Sequence, residues 1–165
     1  MLPVILLAAA AATAPDHATR IDYLRNGLEK TLTSLEAKAP KPGVSITTRD
    51  LTNGAMAEVM LRGDGKRAAD LLRLAFNTQD MDPQSKHYGM LPWETANRDI
   101  SDLNAIEFGT ESMGPILLHY QDKLPAGFVD EMLPHLRAAF FALDHHDVKV
   151  SYTNIFLMKT VNMIF

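Results

Sequence analysis

Apolar residues recur at three- and four-residue steps early in the chain: Ile21, Leu24, Leu28, Leu32 and Leu35 put one buried stripe on a helix from Ile21 to Lys38. Pro40-Lys41-Pro42-Gly43 ends it, because proline lacks an amide donor and glycine accepts unusual dihedrals. The rhythm then changes to two. Val44, Ile46 and Thr48 alternate, Asn53-Gly54 is a turn signal, and Ala55, Ala57, Val59 and Leu61 alternate again. This predicts a small β-hairpin from Val44 to Leu61, with a helix over Ala55 to Leu61 as the alternative.

After Gly63-Asp64-Gly65 the helical period returns, and Ala68, Leu71, Leu72, Ala75 and Phe76 predict a second helix from Lys66 to Asn77. Thr78 to Arg98 is irregular, rich in Asp, Pro, Gly, Asn and aromatics, and a compact domain seldom keeps so long a loop unless it serves something. A third helix starts at Ser101 or Asp102, either a suitable cap, and runs to Gln121. Leu124-Pro125 opens a fourth, buried along Phe128, Met132, Leu136, Phe140 and Leu143, with Pro134 expected to kink or divide it. Asp144 to Lys149 reads as a polar exit. A fifth helix begins at Ser151 or Thr153 and carries Ile155, Phe156, Leu157, Met158, Val161, Met163 and Ile164 on several faces. The preceding stripes suit one or two contacts each, so its cover is expected to be incomplete, and it stops at Phe165 without glycine or a basic last turn. The expectation is an N-terminal fragment of a longer protein: residues 20–165 form a single helical domain of it.

Composition narrows the field. A chain of 165 residues with no cysteine excludes thiolate metal sites, cysteine nucleophiles and a disulfide scaffold. A net charge of -4 with acids and bases interspersed leaves no basic stripe, so nucleic acid is not an expected partner. Leu2 to Ala12 is a short apolar run, too short for a membrane helix, and Ala12-Thr13-Ala14 supplies a small-x-small cleavage pattern. Residues 1–14 therefore read as a signal peptide, cleaved after Ala14 or two residues earlier, although no Lys or Arg precedes the apolar run. Localisation is expected to be secreted or periplasmic, with no membrane span once the signal is removed.

The segments Ala75-Phe76-Asn77-Thr78-Gln79-Asp80, Tyr88-Gly89-Met90-Leu91-Pro92-Trp93-Glu94, Asp102-Leu103-Asn104-Ala105-Ile106-Glu107-Phe108 and Ser151-Tyr152-Thr153-Asn154-Ile155 resemble uncharacterised bacterial proteins of (α/α)-toroid type. These are similar in plan to six-hairpin glycosidases and helical-toroid polysaccharide lyases. The resemblance covers Lys66 to Phe165. It implies a mainly α fold of helical hairpins forming part of a toroid, a carbohydrate-sized cleft at the loop end, and a polysaccharide or oligosaccharide partner.

The loop around Trp93 is the leading candidate site. Tyr88 and Trp93 are suited to stacking on sugar rings, while Glu94, Asp99, Asp102 and Glu107 offer the carboxylates that glycoside hydrolysis uses in pairs. A blander account serves each residue singly, with Trp93 plugging the core end and the acids capping helices. If hairpins alternate up and down, Asn104, Glu107, Tyr152 and Asn154 converge at one end. Tyrosine and asparagine there suit uronate elimination, one moving a proton and the other holding the carboxylate. Their alternative role is local: Thr153 as a cap and Asn154 bonded to a loop. The expected catalytic residues are thus Glu94, Glu107 and Tyr152, with Tyr88, Trp93, Asp102, Asn104 and Asn154 binding substrate. Asp144-His145-His146-Asp147 is not read as a metal site, since adjacent histidines diverge on a helix and the dipole alone favours His at a helix end. No cofactor is expected. Two other readings stay open: a non-catalytic helical module binding a glycan or protein, and an inactive truncated fragment.

Overall fold

The structure, a computed structural model, describes residues 16–38 and 44–164. The expected signal peptide lies outside the described residues, as do the whole Pro40 to Gly43 break and Phe165. Among the described residues there are six α-helices: α1 (His17–Lys38), α2 (Thr48–Ala57), α3 (Gly65–Phe76), α4 (Ala105–His119), α5 (Phe128–His145) and α6 (Thr153–Asn162). None is long and apolar enough to cross a membrane.

The expected hairpin from Val44 to Leu61 is instead α2 followed by a π turn, Glu58–Arg62. Leu51, Ala55 and Val59 lie four apart and are fully buried, so the helical period was present beneath the alternation. Thr47 starts the helix by accepting the Asp50 amide at 3.0 Å. Asn53-Gly54 is not a turn: Gly54 lets Leu35 of α1 pack where a Cβ would overlap it, and Asn53 accepts a 2.7 Å hydrogen bond from Ser112 of α4. Among the described residues, β pairing is confined to the isolated bridges Thr47–Glu94 and Glu94–Asn97.

The helices pack in a simple order. α2 touches α1, α3 and α4, while α4 also touches α5 and α6, so α2, α4 and α6 form a row with α1, α3 and α5 on its flanks. The core runs along that row through Leu51, Leu72, Ile106, Met113 and Ile116, each buried to 0% exposure. Helix α1 is longer than its apolar stripe predicts, and its Ile21 and Leu24 are exposed while Leu28, Leu32 and Leu35 are covered. Pro134 does not divide α5, which continues from Phe128 to His145 with the proline on its exposed side. On α6 only Ile155 is buried, and Leu157 and Val161, with Ile164 just beyond the helix, face solvent.

Candidate functional site

The polar centre of the molecule lies where α4, the end of α5 and α6 meet. Glu107, in the first turn of α4, is a fully buried carboxylate. Its Oε1 lies 2.6 Å from Nδ1 of His146, and its Oε2 is buried without a hydrogen-bond partner among the described residues. Burial raises the Glu107 carboxyl above its ordinary 4.5, against the opposing pull of His146, its own backbone amide and Lys159. An orphaned buried oxygen of this kind costs about 1–3 kcal/mol unless a water or another group meets it.

His146 follows the last turn of α5, its amide bonded to the Ala142 carbonyl at 2.9 Å. Lys159 of α6 donates to the His146 carbonyl at 2.7 Å and to that of Asp144 at 3.3 Å, a cation on the negative end of α5. Asn162, one turn further along α6, donates to the Glu107 carbonyl at 2.7 Å and to the Thr110 hydroxyl at 2.8 Å. With Nδ1 held by Glu107, Nε2 is the ring nitrogen of His146 that has no protein partner among the described residues. His146 borders a pocket of about 260 Å³ lined also by Asn104, Asp147, Val148, Lys149, Ser151 and Tyr152.

Of the residues expected from the sequence, Asn104 and Tyr152 share this pocket and Glu107 lies directly behind its histidine. Asp102 is occupied locally. It accepts from the Asn104 amide at 3.0 Å and from the Asn104 side chain at 2.7 Å, forming the turn that delays the start of α4 to Ala105. Asn154 is exposed in the first turn of α6 and does not line the pocket.

The Trp93 loop belongs to other neighbours. Trp93 is half-buried against Phe108, 5.3 Å between ring centroids, and its carbonyl accepts the Thr48 amide at 2.9 Å. The Arg49 guanidinium lies 4.7 Å from the Phe108 ring. Glu94 is exposed, held by its backbone in the two isolated bridges. Tyr88 packs edge-on against Phe141 at 5.4 Å. Asp99 is exposed, its amide bonded to Asn97.

Sequence reasoning missed His146 by treating Asp144 to Lys149 as a polar exit. The signal was available: Ala139, Ala142, Leu143 and His146 continue the buried face of α5 at three- and four-residue steps. Among the described residues no group of three or more His, Cys, Asp or Glu is arranged to hold a metal ion. No protein-family model, curated protein or solved structure matches the chain.

Proposed function

We propose that the protein is an exported, carbohydrate-active member of the (α/α)-toroid class whose His146 pocket moves a proton on a uronate residue. The observation that carries this is the 2.6 Å contact between Glu107 and His146 beneath a pocket bordered by Tyr152, Asn104 and Lys149. A carboxylate bound to Nδ1 fixes the imidazole's tautomer and makes Nε2 a better base. In β-elimination, Nε2 takes the proton from the carbon beside the uronate carboxylate, a carbon–carbon double bond forms, and the glycosidic oxygen leaves from the next carbon. Tyr152 supplies a proton to that oxygen, while Lys149 and the Asn104 side chain hold the carboxylate. No cofactor enters the balance. Paired-carboxylate hydrolysis has less support, because Glu107 is engaged by His146 and Glu94 is exposed in a segment that does not line the pocket. The toroid reading draws on the row of even-numbered helices flanked by odd ones, as successive hairpins of such a ring would lie.

The test is a screen of the purified protein against polyuronates and neutral glycans, followed by ultraviolet absorbance of unsaturated ends. Elimination on a polyuronate that falls about a hundredfold or more in His146→Ala is the expected result. New reducing ends without unsaturation transfer the reading to hydrolysis, and retention of polymer without turnover makes the protein a binding module. Export is checked separately by mass spectrometry, with a mature N-terminus between Thr13 and Pro15 expected, and recovery only in the cytoplasm with the leader intact opposing it.

A further inference from the structure

A second concavity, of about 230 Å³, lies between α4, α5 and the end of α6. It is built by residue size. Gly114 and Pro115 present little side chain from α4, and Ala139 presents little from α5, so Leu136, Phe140 and Leu143 surround a space they do not fill. A cavity of about 150 Å³ lined by such residues accommodates benzene, so this one suits a body roughly half as large again. Phe140 stands at 51% exposure and leaves a mouth open to solvent.

The charge on the wall is one-sided. Among the described residues, Arg137 is the only charged one lining the concavity, it is exposed, and it makes no ion pair or hydrogen bond. On the opposite chemistry, Thr110 and Asn162 are already bonded to one another, with the Thr110 hydroxyl also donating to the Ile106 carbonyl at 2.7 Å. Their donors are therefore committed to the protein, which leaves the guanidinium as the group offering a charge-assisted bond to a ligand.

From the apolar walls, the volume and this single unpaired cation, we infer that the concavity binds a small amphipathic monocarboxylate, its chain or ring inside and its carboxylate on Arg137. The inference is independent of the uronate reading, since neither the concavity nor Arg137 lines the His146 pocket.

Titration calorimetry of the full chain with octanoate, octanol and octylamine, three probes sharing one apolar body, tests it. Octanoate should saturate one site and perturb the nuclear resonances of Phe140 and Thr110. Its advantage over octanol should be at most about fivefold, the range for an ion pair exposed to water. Arg137→Ala should remove that advantage and leave octanol binding unchanged, and Arg137→Glu should shift the preference to octylamine. Both substitutions are at an exposed position, so folding is retained and checked by circular dichroism. Absence of saturable binding would overturn the inference. So would equal affinity for all three probes, or uptake of several molecules per chain that ignores Arg137 and marks adsorption to the exposed face of α6.

Discussion

Gly89 and Gly127 share a left-handed backbone, with φ of 83° and 78°, but differ in what a side chain would meet. At Gly127 nothing lies within 4 Å of an added Cβ, whereas at Gly89 the Cβ would run into the Ala138 carbonyl, a backbone atom that cannot swing away. Gly127→Ala should therefore cost about 1 kcal/mol, the conformational penalty alone. Gly89→Ala should cost at least twice that by adding overpacking against α5, and urea unfolding of the two variants measures the difference. Glu107 sets the second expectation at this scale. Burial raises its carboxyl above the ordinary value, so ionising it costs more in the folded protein than in the unfolded chain. A raised group contributes stability that is complete below its unfolded value and is lost as pH rises through the folded one. Compared with Glu107→Gln, the wild type should lose stability progressively as pH climbs from the ordinary 4.5 toward that raised value. A difference that stays flat with pH, measured by thermal melts, would show that the carboxyl titrates as an exposed one.

Among the elements, those with a strong helical period were legible and those marked by turn chemistry were not. α3 follows a stripe readable in the sequence, whereas α5 follows its expected stripe at Phe128, Met132 and Leu143 but leaves Phe140 exposed, because the small Ala138, Ala139 and Ala142 form its buried face instead. α2 was hidden because it touches three helices and is buried almost all round, which erases the contrast between faces on which periodicity depends. Asn53-Gly54 misled for the same reason, its small size serving a close helix approach rather than a bend. The Thr78 to Arg98 segment was read as a site loop, but much of it is a tie across the bundle. Gln79 donates to the Gly89 carbonyl at 2.8 Å and the His135 carbonyl at 3.1 Å, and it accepts from His135 Nδ1 at 2.7 Å. Burial holds the His135 imidazolium form at a disadvantage and lowers its pKa, against the opposing pull of Glu131. A depressed histidine contributes stability present above its ordinary 6.5 and lost as pH falls through the folded value. Gln79→Ala should open this tie and remove about 1–3 kcal/mol, and the loss should appear in denaturant unfolding as a lower midpoint with an unchanged slope. Of the candidate site, Asn104, Glu107 and Tyr152 were readable as helix-start residues. Their histidine was not, because its neighbours Asp144, His145 and Asp147 are exposed and give the segment the composition of a loop.

At the scale of the whole molecule, α6 is attached in an unusual balance, with one buried apolar residue, Ile155, and two polar anchors, Lys159 and Asn162. Phe156 and Met158 on α6, and Met163 just past its end, add half-buried apolar contact. The anchors reach the carbonyls at the end of α5 and the first turn of α4, so His146 and Glu107 are both tied through their backbones to a third helix. The Lys159 ammonium also stands in for the missing next turn of α5, whose final carbonyls have no helical donor. Fraying at the end of one helix is thus governed by a residue on another. In amide hydrogen exchange, Lys159→Met should speed exchange at His146 by about tenfold, the loss expected when a charged donor is withdrawn, while amides of the α2–α4 core keep their protection. Unchanged exchange at His146 would mean that its bond to Ala142 closes the helix unaided. The rate at that single amide then serves as a clock for the docking of α6, readable without any substrate in hand.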